Sequence, residues 1–158
     1  MATVLQTIVE QKHYTFLDSA ESWQEAVRLS AEPLVADGSV SADYYQQIVA
    51  CIEKFGPYVV YDPYIAMPHS QENAEGVHKT GIGFLRLKEA VDFGLDEDGV
   101  RKEAKLLFTI ASCNPEQHLE NITQLMGIFG NEPLLYALME ANTPEDILAA
   151  EAAHPCEE

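Results

Sequence analysis

The chain is short of cysteine, of positive charge and of long apolar runs, and each shortage removes a class of function. Its three cysteines, Cys51, Cys113 and Cys156, stand far apart with no CxxC spacing, so neither a disulfide framework nor a paired-cysteine zinc site is expected. Cys51 and Cys113 fall in apolar segments and are expected in the core as reduced thiols, Cys156 in a polar tail. Only 9 Lys and Arg oppose 26 Asp and Glu, a net charge of -17. A field of that sign repels phosphate backbones and anionic lipid, which argues against nucleic acid and membrane surfaces as partners. A basic protein would be steered in. No apolar run approaches the roughly 18 residues of a membrane helix. The start, MATVLQTIVEQKHYTF, lacks a basic region followed by an apolar core and cleavage site, so a cytoplasmic location without membrane insertion is expected. GxSxG, GxxxxGKS/T, HExxH and a full GxGxxG are all missing, and GIGFL lacks the third glycine.

What is present is an ordinary globular composition, 47% hydrophobic and 22% charged. A chain of 158 residues, with no internal repeat and no linker rich in Gly, Ser or Pro, predicts one compact domain over residues 1–158. Two short apolar patches, Val4 to Val9 and His13 to Leu17, suit strands, although the first could equally start a helix. Asp18 with Glu21 reads as a capping box for a helix to about Ala36; Ser41 reads as the cap of a second, with Tyr45, Ile48, Ile52 and Phe55 as its inward stripe and Gly56–Pro57 as its stop. YVVY, YIAM, TGIGFLRL and KLLFTIASC read as strands, EAVDFG as a separate edge piece and LDEDGVRKE as a solvated turn. KLLFTIASC is so continuously apolar that helices should cover both its faces. Asn114, Pro115 and Gln117 signal a helix start, followed by a stripe of Leu119, Ile122, Leu125, Met126 and Phe129; Asn131 and Thr143 repeat the cap chemistry. The sum is an α/β fold, a mixed sheet of about five strands with helices on both faces.

His69 is the sharpest candidate for chemistry. Pro68 fixes its own φ and has no N–H, so a strand ends there and His69 opens a loop with its imidazole presented. A neutral ring carries a lone pair for nucleophilic attack or metal ligation. His118 stands four residues past Asn114, aligned with the apolar stripe and near the positive pole of its helix, where backbone amides and an imidazole N–H would favour an anion. Lys79 and His78 flank the loop after His69 and are expected to be solvated, while His13 and His154 lie near the ends. Residue type alone allows zinc on His69, His78 and His118, but no ligand spacing supports it, and no metal is expected.

GPYVVYDPYIAMPHS, then EGVHKTGIGFLRLKEAVDFG, then KLLFTIASCNPEQHLENITQLMGIF, together resemble the IIA component of the bacterial phosphoenolpyruvate-dependent sugar phosphotransferase system, in the mannitol/fructose superfamily. The GPY lead-in is most similar to the ascorbate-type branch. The resemblance covers about residues 20 to 150. It implies a phosphotransferase component in which His69 accepts a phosphoryl group from the phosphocarrier protein HPr and passes it to a cysteine of a IIB partner, for ascorbate or a related sugar, with no cofactor. His118 would sit beside it, with the loop from Ser70 and Lys79 holding phosphoryl oxygens and Met67, Ile82 or Phe84 supplying exposed docking surface. Two positions depart from the family pattern: CIEKFGPY has no arginine where mannitol-type members carry one, and PHSQEN stands where the ascorbate branch has a sequence nearer PHARPE. A homodimer is left open. So are a regulatory role, in which the phosphate state of His69 is sensed by a transporter or transcription factor, and a metal-dependent hydrolase built on His69 and His118.

Overall fold

The computed structural model describes residues 3–61, 63–69 and 76–155. The first apolar patch resolves as a helix, α1 (Val4–Glu10), because Thr3 and Gln6 cap it reciprocally: the Gln6 amide donates to Thr3 Oγ1 and the Thr3 amide to Gln6 Oε1. The second patch is strand β1 (Tyr14–Leu17). Helix α2 (Trp23–Ala36) starts later than expected, capped by Ser22 accepting from the Glu25 amide at 3.2 Å. The Asp18 carbonyl is occupied by the Glu89 amide, so the chain stays on the sheet edge past that point. Helix α3 (Tyr44–Phe55) is likewise not capped by Ser41, whose amide donates to the Gly76 carbonyl and whose hydroxyl lies 3.3 Å from His78 Nε2. Its buried side chains are Tyr44, Ile48 and Ile52, while Phe55 is 55% exposed. Gly56, at φ 83, ends it as expected.

Strands β2 (Val60–Tyr61) and β3 (Ile65–Ala66) are short. Strand β4 (Gly81–Leu95) absorbs EAVDFG rather than leaving it as an edge piece, by shifting register against β5 (Arg101–Ala111) between Arg86 and Val91 and between Asp92 and Gly94. The sheet order is β1-β4-β5-β3-β2, with β1 parallel to β4 and β3 parallel to β5, the other pairs antiparallel. Helices α4 (Pro115–Phe129), α5 (Glu132–Met139) and α6 (Pro144–Ala153) carry the expected caps at Asn114, Asn131 and Thr143.

Two apolar cores result, one per face. Leu106, Phe108 and Ile110 of β5 pack with α1, α4, α5 and α6, and Ala104, Leu107 and Ala111 pack with α2 and α3. Each large side chain so buried is worth about 1.5–3 kcal/mol. The stripe on α4 is narrower than expected: Leu125 and Ile128 are buried, but Leu119 is 67% and Met126 42% exposed, each one position round the helix from the inward face.

His13, for which the sequence suggests no role, is buried and its Nε2 lies 2.5 Å from Asp37 Oδ2. Burial pushes the Asp37 carboxyl up, but hydrogen bonds from Ser39 and His13 outweigh it and hold the group below the usual carboxylate value. A depressed folded-state pKa contributes stability above the unfolded value of about 3.9, lost as pH falls through the folded value. Asp37→Asn should therefore cost about 1 kcal/mol at pH 7, a figure reduced by the partial exposure of the carboxylate. The deficit should vanish in acid; urea midpoints at neutral and acidic pH read it, and an equal deficit at both would contradict it.

Candidate functional site

The line of β3 runs on through Met67, whose amide donates to the Val59 carbonyl, to Pro68, whose carbonyl accepts from the Ile110 amide at 2.9 Å. Proline has no N–H to offer the next rung, so the ladder stops and His69 emerges at the carboxyl end of the β3/β5 pair. It is half-buried. Its Nδ1 lies 2.7 Å from the Met67 carbonyl oxygen. A carbonyl only accepts, so Nδ1 carries the proton and Nε2 keeps its lone pair. The Tyr58 ring meets the imidazole edge-on, centroids 5.5 Å apart and planes at 89°. Phe55 stands in turn against Tyr58, and Lys54 Nζ lies 5.2 Å from the Phe55 centroid. Burial, with lesser contributions from Cys51 and Tyr61, pushes the Tyr58 phenol above its ordinary value, so it is neutral beside the histidine.

Asn114 lies four residues beyond Ile110, which brings the start of α4 to the same sheet end. The amides there are already engaged: Asn114 Oδ1 accepts from Glu116 and Gln117 at 3.0 and 3.1 Å, the Asn114 carbonyl accepts from His118, and Pro115 has none. The expectation of free helix-start amides for an anion is thus corrected, because the cap that specifies the helix consumes them. What α4 does offer is the His118 ring, half-buried, with its Nδ1 buried and without a hydrogen-bond partner among the described residues. A buried polar atom left unpaired costs about 1–3 kcal/mol, a penalty that an incoming oxygen would remove.

Strand β4 begins at this end too. Thr80 Oγ1 accepts from the Cys113 amide at 3.1 Å, and Lys79 just before it is exposed, its amide donating to the Ser39 carbonyl. Cys113 is exposed rather than in the core, because β5 ends two residues earlier. Ser70 and Cys156 lie outside the described residues. His78 is engaged with Ser41, as noted. Met67, Ile82 and Phe84 are 4%, 5% and 0% exposed and cannot form a docking surface; all three belong to the apolar core packed with α1 and α4. Among the described residues Tyr58 against His69 and Phe55 against Tyr58 are exposed apolar side chains, as is Leu119 next to His118 in the chain; sequence periodicity assigns all three to helix interiors or strands. Among the described residues, no group of three His, Cys, Asp or Glu is placed to hold a metal ion. No described helix is long and apolar enough to cross a membrane.

An α/β sandwich that presents an imidazole with a free Nε2 at a strand end, and a second half-buried imidazole in the first turns of the helix after the neighbouring strand, holds two side chains able to act as nucleophile or hydrogen-bond donor. The chain is a member of the phosphoenolpyruvate-dependent sugar phosphotransferase system EIIA 2 family, whose family model matches residues 8–151. It is 35% identical over 143 residues to the ascorbate-specific PTS system EIIA component of Escherichia coli (strain K12), covering 90% of each chain. Among solved structures it is similar to the mannitol-specific cryptic phosphotransferase enzyme IIA CmtB of Escherichia coli, with TM-score 0.75 and 27% identity over 87% of this chain and 91% of that one. It is also similar to a chain of the Escherichia coli complex of enzyme IIAMTL and phosphorylated enzyme IIBMTL, with TM-score 0.69 and 27% identity over 89% of this chain and 99% of that one.

Proposed function

We propose that His69 is the phosphoryl acceptor of this sugar phosphotransferase component, taking the group from HPr and handing it to a cysteine of a IIB partner, with ascorbate or a related sugar as the transported substrate. The observation that carries the reading is the bond from His69 Nδ1 to the Met67 carbonyl, which leaves Nε2 as the nucleophile. Nε2 attacks phosphorus in line as the bond to the donor imidazole of HPr breaks, and that ring recovers its lone pair. The phosphorylated ring is cationic, and its Nδ1–H strengthens the bond to Met67. In the second step the cysteine thiolate attacks, a P–S bond replaces the P–N bond, and His69 returns to neutral. Little else is required, because phosphoryl transfer is largely positioning and stabilisation of spreading oxygen charge. His118, Lys79 and Ser70 are the groups we assign to that charge.

Phe55 and Tyr58, packed in sequence against His69, leave exposed apolar surface beside the imidazole suited to short-lived docking, below about 1,200 Å² in total. The ascorbate assignment rests on the named relative, and the IIB partner on the mannitol-type complex. Incubation with phosphoenolpyruvate, enzyme I and HPr, followed by intact mass, should show one added, acid-labile phosphoryl group; none added would remove the reading. His118→Ala should keep the fold and slow onward transfer to the IIB cysteine by about 10²–10³, the usual effect of losing one transition-state donor. Unchanged stopped-flow kinetics would take His118 out of the mechanism.

A further inference from the structure

Arg86 is a charged residue in an interior position. It sits in the middle of β4, paired with Leu106 of β5, on the face of the sheet that carries Ile82 and Phe84, and is 3% exposed. Its Nη2 reaches Asn142 Oδ1 at 3.3 Å and its guanidinium lies 5.6 Å from the Phe16 centroid. Its Nε is buried with no partner, and no ion pair to a carboxylate forms among the described residues. A buried guanidinium with no counter-charge is destabilising, and an apolar residue would serve the core better.

What it faces is a cavity of about 530 Å³ that it lines together with Tyr64, Lys88, Lys105, Glu140 and Asn142. Three of the 9 Lys and Arg of a chain of net charge -17 converge on this one cavity. Lys88 has only an exposed contact with Asp18 at 3.5 Å, and Lys105 Nζ lies over the Tyr64 ring, 5.3 Å from its centroid. Tyr64 is held at φ 56, a left-handed conformation that a residue with a side chain adopts only under strain. Its carbonyl accepts from the Lys105 and Leu106 amides, which holds its backbone in place, and its side chain lines the cavity.

We propose that this cavity binds a phosphomonoester of a small polyhydroxylated molecule, a sugar phosphate in chemical class. Glu140 is the single described carboxylate among the lining residues, so the three cations leave the wall with a surplus of two positive charges, which matches a phosphate monoester of about -1.5 to -2 rather than a carboxylate. The guanidinium fork and the two ammonium groups take the phosphate oxygens. Glu140 accepts from hydroxyls, and Asn142 Nδ2, which also donates to the Glu140 carbonyl, donates to them. Tyr64 precedes β3 and His69 follows it, five residues on along the chain, at most about 16 Å at 3.3 Å each. The assignment stands apart from the role given to His69.

Glucose 6-phosphate, inorganic phosphate and glucose are the probes, each titrated into the full chain and followed by amide chemical shifts. Glucose 6-phosphate should bind saturably, more tightly than inorganic phosphate and more weakly as salt rises; glucose should not bind. The shifts should cluster at Tyr64, Lys88, Lys105 and Asn142, and should persist in His69→Ala. Arg86→Gln should weaken binding at least about tenfold, as expected for a charged hydrogen-bonding group. Lys105→Gln, at a half-exposed site that leaves the fold intact, should weaken it several-fold. Shifts confined to His69 and His118, equal affinity for phosphate and its ester, no saturable binding of either, or wild-type binding by Lys105→Gln would each overturn the proposal.

Discussion

His69→Ala is expected to lose phosphoryl incorporation from HPr to the detection limit while staying folded. The imidazole is only half-buried and belongs to neither apolar core. Its specific contacts are the Met67 carbonyl, which solvent can replace at the site mouth, and the edge of Tyr58. An aromatic pair contributes about 0.5–1.5 kcal/mol. At about 2–4 °C per kcal/mol for a chain of this size, the melting temperature should fall by a few degrees at most. Chemistry has no such fallback. His118 is an alternative imidazole, but its Nδ1 is buried and its ring is set in the flank of α4 rather than at an open strand tip. Phosphorylated protein in the variant, or a collapse of its melting transition, would each contradict this separation of chemistry from stability.

The largest stability effect should come from a glycine. Gly83→Ala would place a Cβ 2.1 Å from the Ser30 carbonyl oxygen and 3.2 Å from its carbon, with Leu34 Cδ1 at 3.6 Å. The clash is with the backbone of α2, so no rotamer change relieves it. That helix lies on the sheet through Ser30, which is fully buried and hydrogen-bonded to Thr109 of β5, so lifting it opens the whole α2/α3 core. Overpacking in a well-filled core costs about 1–3 kcal/mol and occasionally more. A rigid helix in the way puts this case at the upper end, out of a total stability of about 5–15 kcal/mol. The control is Gly127→Ala in α4, where an added Cβ meets nothing within 4 Å and which should gain about 0.5–1 kcal/mol from helix propensity. Equal melting temperatures for Gly83→Ala and the wild type would show that α2 does not sit where it is described.

How far the sequence discloses all this depends on whether a signal is local. The cap at Asn114 with Pro115 behind it, the caps at Asn131 and Thr143, and the stop at Gly56 are decided within four residues, and each is legible. So is the strand end at Pro68, because a missing N–H acts on its immediate neighbours. Asp18 and Ser41 carry cap chemistry too, yet neither caps a helix, because the Asp18 carbonyl is taken by Glu89 and the Ser41 amide by the Gly76 carbonyl, contacts spanning tens of residues. The exposure of Phe55 and Leu119 was hidden for a related reason: periodicity finds an apolar stripe but not where the neighbouring sheet ends beneath it. The buried Met67, Ile82 and Phe84 are the converse. The His13–Asp37 contact and the unpaired Arg86 have no sequence signature at all, since each depends on which strand the residue joins and what packs across it.

The central claim is that the Met67 carbonyl fixes the tautomer of His69 and so selects the attacking nitrogen. Phosphorus and nitrogen NMR on the protein phosphorylated by HPr, with histidine ring nitrogens labelled, reads that choice without interpretation through rates. A phosphorus coupled to Nε2 of His69, with Nδ1 still protonated, is the predicted result. A phosphoryl group on Nδ1, or on a ring other than that of His69, would contradict the account.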